Sequence, residues 1–209
     1  MKIYPSIIAA NWTMLAKTAH RLEDGGADGL HVDIADGHYL PALTVGPKIV
    51  SDLRHVTILP LLVHLTVMNP DQFIETLAIA GATSITLQCE QQHTSDLPRL
   101  LDSIRSLGCA CGLAIDPETP LDMVLSHLDR IDQILVTSVY PGKSGQTFMP
   151  ESLERIDYLR NSGFSEIIVE GGVNDHSIQS IKEAGATGVV AASYIFRQPD
   201  YGTAIRSLK

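Results

Sequence analysis

Short apolar runs alternate with longer amphipathic ones along the whole chain, in eight cycles. The apolar runs predict β-strands at 2–8, 29–34, 60–66, 84–89, 109–115, 133–139, 166–170 and 188–193. Between them the pattern predicts helices over about 12–24, 47–54, 71–80, 95–107, 120–128, 151–161, 175–184 and 200–208. Asn69-Pro70-Asp71 supplies a cap residue and a proline for one helix start, and Glu118-Thr119-Pro120 does the same for another. Gly26-Ala27, Gly81-Ala82 and Gly185-Ala186 read as helix ends that lead straight into a strand, a weak internal repeat. Near-continuous aliphatic strands fit a parallel sheet covered by helices on its faces. Eight such units close most naturally as a (β/α)8 TIM barrel, a single domain over residues 1–209. A doubly wound open sheet is the alternative, but no GxGxxG follows the first strand.

Composition narrows the picture. A chain of 209 residues suits one barrel, since barrels of about 200–250 residues are routinely single units. Hydrophobic residues make up 44% and aromatics only 5%, so the core is aliphatic. The net charge of −9 and the absence of any Lys/Arg cluster argue against nucleic acid or an anionic membrane as partner. No run approaches the 18 apolar residues of a membrane span, and the N-terminal apolar run is too short for a signal peptide. Cys89, Cys109 and Cys111 read as reduced, mostly buried thiols, and the expected compartment is the cytoplasm.

In a barrel, chemistry sits at the C-terminal ends of the strands, and the polar residues out of place in this sequence fall there. His31 and Asp33 alternate on one strand and therefore share a face. His64 lies in the third strand, and Glu170 ends the seventh. Each has a structural account of its own: a hydrogen-bonded His–Asp pair, a satisfied core histidine, a solvated loop carboxylate. Together they make a mixed imidazole and carboxylate site suited to Zn²⁺, Fe²⁺, Mn²⁺ or Co²⁺. Gly171-Gly172 after strand seven and Ser193 after strand eight, with the amide of Tyr194, point to a phosphate held by N–H donors. Residues 140–149, punctuated by Pro141, Gly142 and Gly145, read as a lid or as plain connection, with Lys143 solvated.

These residues resemble the ribulose-phosphate 3-epimerase family. The matching stretches are Pro5-Ser6-Ile7, the run from His31 to His38, Pro41 with Thr44-Val45-Gly46, Val63-His64-Leu65, Asn69-Pro70, Asp116-Pro117 with Thr119-Pro120, Ser138 to Gly142, Gly145-Gln146, Gly171-Gly172 and Ile195-Phe196. They run in family order over nearly the whole chain. The resemblance implies a barrel with one divalent metal on His31, Asp33, His64 and position 170, and Asp33 and Glu170 as the acid and base. It implies further that Ser6 and His64 contact substrate, and that Gly142, Gly145, Gln146, Gly171, Gly172 and Ser193 lie at the substrate and its phosphate. The family is usually oligomeric, so a homo-oligomer is expected.

The departures lie at the reacting centre. The family's usual Asp is Glu170 here, and one extra methylene moves a carboxylate by more than about 1 Å unless the backbone retreats. Three methionines that commonly line the family's site are Ala35, Thr66 and Thr137, which predicts a roomier, more polar pocket. The lid is Pro141-Gly142-Lys143-Ser144-Gly145-Gln146, Pro41 is followed by Ala42, and Ser193 is preceded by Ala192. The expected reaction is interconversion of D-ribulose 5-phosphate and D-xylulose 5-phosphate through an enediolate. Rival readings are the same chemistry on another ketose phosphate, for example a hexulose 6-phosphate, and a sugar-phosphate-binding barrel without activity. A related decarboxylase or aldolase is a further rival, but the Asp-x-Lys-x-x-Asp strand of the decarboxylases is absent.

Overall fold

The computed structural model describes residues 1–91, 96–142 and 145–209. Its strands are β1 (Lys2–Pro5), β2 (Leu30–Ala35), β3 (Leu61–Thr66), β4 (Ser84–Gln88), β5 (Ala110–Ile115), β6 (Gln133–Thr137), β7 (Ile167–Glu170) and β8 (Gly188–Ala191). The helices are α1 (Leu15–Asp24), α2 (Pro47–Arg54), α3 (Asp71–Ala80), α4 (Leu97–Ser106), α5 (Asp122–Leu125), α6 (Ser152–Asn161), α7 (Ile178–Glu183), α8 (Ser193–Phe196) and α9 (Tyr201–Leu208). The strands form one parallel sheet in the order β1-β8-β7-β6-β5-β4-β3-β2. β1 returns to β2 through a bridge between Ser6 and His31, and Asp28 stitches the same seam below: its N–H donates to Ile3 O and its Oδ2 accepts from Ile3 N, both at 2.9 Å. The result is a nearly closed (β/α)8 barrel.

Alternation along each strand divides the apolar residues into two sets. Tyr4, Leu62, Ala114, Leu135, Ile168 and Val190 pack against one another inside the barrel. The neighbouring positions, such as Ile3, Val63, Leu113, Val136 and Val189, face outward into a larger core shared with the helices. Helices meet that core with apolar residues at i, i+3, i+4 and i+7: Leu97, Leu100, Leu101 and Ile104 of α4 are all buried. Each fully buried Leu or Ile contributes about 1.5–3 kcal/mol relative to an exposed one. The three cysteines are free and buried, as expected.

The glycine–alanine repeat has a common geometry. Gly26, Gly81 and Gly185 take left-handed φ values of 86°, 101° and 100°. The following alanine N–H reaches back five residues, Ala27 to Leu22, Ala82 to Leu77 and Ala186 to Ile181, which closes the helix and turns the chain into the next strand. α2 and α3 begin at Pro47 and Asp71 as the pattern predicts, but the predicted start signals act differently at two helices. No side chain of Asn69 caps α3, whose cap position is Pro70, and α5 begins at Asp122, after the prolyl turn at Pro120. The run 2–8 leaves the sheet at Pro5, because Ser6 accepts the N–H of Ile8 and starts a 3₁₀ turn over Ile7–Ala9. β8 ends at Ala191, and the short α8 begins at Ser193, the last residue of the predicted run 188–193.

Replacing Gly81 by Ala places a Cβ on a φ of 101° and against the Arg54 side chain at 2.7 Å. The expected loss is about 1–2 kcal/mol, read as a fall in Tm of about 2–8 °C by calorimetry, with the barrel's circular dichroism unchanged.

Candidate active site

The strand alternation that puts an apolar residue in the barrel puts a polar one two positions later, at the C-terminal rim. Tyr4 is followed by Ser6, Leu62 by His64, Ala114 by Asp116, Leu135 by Thr137 and Ile168 by Glu170. Parallel register sets Asp33 beside His64 and Thr137 beside Glu170. His31, Asp33, His64 and Glu170 thereby converge, each offering one donor atom within 4.8 Å of all the others. His31 Nδ1 stands 3.3 Å from Asp33 Oδ2, and His31 Nε2 stands 3.9 Å from Glu170 Oε2. His64 Nδ1 faces both carboxylates, at 3.5 Å from Asp33 Oδ1 and 3.6 Å from Glu170 Oε2.

Burial and charge pull in opposite directions here, and charge prevails. Burial alone would depress the two imidazoliums, but the facing carboxylates raise His31 and push His64 up to about 10. Burial would raise Asp33, yet His31 and His64 beside it hold its carboxyl well below the usual range. One atom of this set lacks a hydrogen bond. Glu170 Oε2 is buried and accepts no hydrogen bond, although it faces both imidazoles. A buried carboxylate oxygen without a donor is costly, and a cation among the four donors would satisfy it. Two imidazoles and two carboxylates suit a divalent transition metal, so the cluster can hold a metal ion.

The supports around the cluster are specific. Ser6 Oγ donates to Asp33 Oδ2 at 2.7 Å, and Ser6 is completely buried beneath that carboxylate, off the cavity wall. Gln88 Oε1 lies 2.7 Å from His64 Nε2, while Gln88 Nε2 donates to Glu90 Oε2 at 2.6 Å. This chain fixes which way the Gln88 amide points, and so makes His64 Nε2 the donor. Glu90 Oε1 in turn accepts from Asp116 N and Thr119 Oγ1. Sequence reading missed Gln88, Glu90 and the role of Asp116; their alternation with Thr86 and Ala114 on the inward face was the available signal. Asp36 and His38, adjacent in sequence to the cluster, instead pin loops: Asp36 Oδ2 accepts Met68 N at 2.9 Å.

A cavity of about 590 Å³ opens above this floor, lined by Asp33, His64 and Glu170 below. Gly142, Gly145, Gln146, Gly171, Gly172 and Ser193 line its opposite side, the one formed by the loops after β6, β7 and β8. A Cβ on Gly172 would meet Phe148 N at 2.1 Å, so the loop after β6 lies directly on the Gly171-Gly172 turn. That loop is pinned by Met149 N to Ser138 O at 2.9 Å and by Gln146 Nε2 to Tyr140 O at 2.6 Å. Lys143 and Ser144 lie outside the described residues.

The match to the family model of the ribulose-phosphate 3 epimerase family extends over residues 2–196. The chain belongs to that family. Relatives covering its full length are similarly close: the chloroplastic ribulose-5-phosphate-3-epimerase of Arabidopsis thaliana is 39% identical over 99% of this chain and 75% of its own. The ribulose-phosphate 3-epimerases of Synechocystis sp. and Escherichia coli K12 are 38% and 39% identical, over 99% of this chain and 92% and 94% of theirs. Among solved structures, the tryptophan synthase A-subunit of Pyrococcus furiosus covers 100% of this chain and 96% of its own at a TM-score of 0.75 and 14% identity. A 3-hexulose-6-phosphate synthase covers 100% and 98% at the same TM-score and 14% identity. Those two show the barrel fold alone. The protein is an epimerase, and no helix among its described residues is long and apolar enough to cross a membrane.

Within this epimerase the Glu-for-Asp departure is accommodated. Ser138 holds the Glu170 carbonyl through its N–H at 2.7 Å and its hydroxyl at 2.8 Å, so the backbone is anchored and the longer side chain still brings Oε2 to the histidines. Ala35, Thr66 and Thr137 all line the cavity.

A cation entering the cluster competes with the proton that His64 carries at neutral pH, given its value of about 10. Zn²⁺ affinity of the metal-free protein is therefore expected to rise between pH 6 and pH 8. Calorimetric titration in two buffers of different ionisation heat should show net proton release on binding.

Proposed function

We propose that the enzyme interconverts D-ribulose 5-phosphate and D-xylulose 5-phosphate by removing and returning the proton at C3. The observation that carries this reading is the pair of carboxylates, Asp33 and Glu170, brought to one cavity floor from β2 and β7 with two imidazoles between them. His31, Asp33, His64 and Glu170 are the residues that hold one divalent ion, and the donor set does not discriminate among Zn²⁺, Fe²⁺, Mn²⁺ and Co²⁺. Such an ion supplies positive charge where negative charge develops on the substrate oxygens.

The chain's own residues move the proton. One of the two carboxylates takes the C3 proton on one face of the substrate, leaving an enediolate. The other, entering as the carboxylic acid, delivers its proton to the opposite face, and the two exchange protonation states in the reverse direction. Ser6, with its hydrogen bond to Oδ2, holds Asp33 in position for that transfer. Gly142, Gly145, Gly171 and Gly172 let the backbone approach a phosphate closely, with Gln146, Ser193 and the Tyr194 amide beside them. Arg197, the one lysine or arginine on the cavity wall among the described residues, adds a positive charge at the same end. Tyr140, Pro141 and Gly142, with Gly145, Gln146 and Thr147, line this end of the cavity and restrict the access of water.

A second reading is favoured by one observation: Ala35, Thr66 and Thr137 leave room for a longer ketose phosphate, such as a hexulose 6-phosphate. In either reading neither nucleic acid nor membrane is a partner, since the net charge of −9 opposes polyanions. The free, buried Cys89, Cys109 and Cys111 suit the reducing cytoplasm.

Proton NMR of ribulose 5-phosphate in D₂O with metal-loaded enzyme should show loss of the C3 proton together with appearance of xylulose 5-phosphate. E170Q and D33N should each lower the epimerisation rate by about 10²–10⁴-fold. Exchange without xylulose 5-phosphate would mean only one face works, and no exchange would move the assignment to the longer sugars, run side by side. The same reading carries a homo-oligomer, supported by apolar side chains left on the outside such as Ile58, Ile79 and Tyr158. Analytical ultracentrifugation tests it, and a sedimentation coefficient of a 22.6 kDa monomer would refute it.

A further inference from the structure

One arc of the cavity floor takes no part in the proton transfer described above. It is formed by Asp116, the residue after β5, and Thr137, the last of β6, with Tyr39 from the β2–α2 loop standing behind. Asp116 is only 9% exposed, yet it lines the cavity. Its Oδ1 accepts from Thr137 Oγ1 at 3.0 Å, its Oδ2 accepts from the Tyr39 hydroxyl, and its N–H donates to Glu90 Oε1 at 2.9 Å. The carboxylate is thus held rigidly at two oxygens and at its backbone.

Its acceptor capacity is not filled by these contacts. Two carboxylate oxygens offer about four lone-pair positions, and the structure supplies two side-chain donors. One of those is shared, because Thr137 Oγ1, with its single proton, is also within 3.0 Å of Ile115 O. Burial pushes the Asp116 carboxyl above its ordinary value, with Glu90 adding to the push, while the hydrogen bonds from Tyr39 and Thr137 oppose it. A fixed, under-satisfied carboxyl on a cavity wall gains most from a ligand hydroxyl, and loses most when a ligand presents a methyl there.

The position selects which hydroxyl. In a ketose phosphate the phosphate lies toward the glycine loops after β6, β7 and β8, and C2 and C3 lie at the carboxylates of Asp33 and Glu170. C4 falls between C3 and the phosphate, on the glycine side. C1 is the remaining hydroxyl, beyond the carbonyl and away from the phosphate. We propose that Asp116, positioned by Tyr39 and Thr137, is a specificity-determining residue that accepts a hydrogen bond from the C1 hydroxyl of the substrate. The site then takes hydroxymethyl ketones and rejects methyl ketones. The inference rests on the ketose-phosphate reading given above.

The test compares deuterium uptake at C3 of D-xylulose 5-phosphate with that of 1-deoxy-D-xylulose 5-phosphate, which lacks only the C1 hydroxyl. Metal-loaded wild type should favour the hydroxylated sugar by about 10²-fold in kcat/KM. D116N and D116A should bring the ratio to within about 10-fold, mainly by slowing the hydroxylated substrate. D116N keeps the shape of the side chain, and melting curves show whether either variant is folded. Y39F removes an anchor but leaves the carboxylate, so its ratio should stay near the wild-type one. Equal rates on both sugars by wild type, or a ratio unchanged in both D116N and D116A, would leave Asp116 a structural anchor and overturn the inference while the functional reading stands. No exchange on either sugar by wild type would remove the functional reading and this inference with it.

Discussion

Two buried imidazoles and two half-buried carboxylates at the rim of an aliphatic barrel are tolerable only because they face one another. Each alone would lose hydration worth several kcal/mol, and removing one member of such a set leaves the others unpaired. The consequences spread outward from this cluster. Ser6 must lie beneath Asp33, so β1 leaves the sheet where it does and meets β2 through the Ser6–His31 bridge. His64 needs a partner for its second nitrogen, so Gln88 is buried on β4, and Gln88 in turn requires Glu90. The seam that closes the barrel and the four-residue cluster thus share His31, with Ser6 joining the two.

The division of labour along each strand has a simple origin. A β-strand alternates faces, so the interior of the barrel is reached by every second residue. The lower interior positions are apolar or small: Tyr4, Leu62, Ala114, Leu135, Ile168 and Val190 fill the barrel as a packed core. The next inward position on most strands is polar and opens into the cavity. The stable body and the reactive rim are thus two layers of one pattern, separated by about 7 Å of strand. The rim tolerates polar chemistry because it borders the cavity, while the layer beneath it keeps the strands in register.

Departures from the family's usual residues do not break this arrangement. The extra methylene of Glu170 is absorbed in the side chain, since Ser138 holds the strand-end carbonyl twice. Ala35, Thr66 and Thr137 line the wall with small or polar groups, and Thr137 turns its hydroxyl toward Asp116. The glycine end of the cavity depends on backbone proximity: Gly172 has the Phe148 backbone where any Cβ would stand, so the turn and the loop above it form one surface.

Periodicity and punctuation in the sequence determined the order and kind of the elements. All eight strands and their principal helices lie where the hydrophobic pattern puts them, because aliphatic runs and amphipathic stripes are local signals and the Gly-Ala ends close helices through bonds within five residues. The identities of His31, Asp33, His64 and Glu170 as a candidate set were also legible, since strand-end polar residues in a barrel all project to one rim. Only the tertiary structure decided the rest. That Asn69 is not a cap, that Ser6 lies under Asp33 rather than on the cavity wall, and that Asp116 draws Tyr39 from a loop 77 positions away in sequence are consequences of packing between distant segments. Burial and facing charge, which set the protonation of the cluster, arise only when β2, β3 and β7 are brought side by side around the barrel, and no local pattern encodes that meeting.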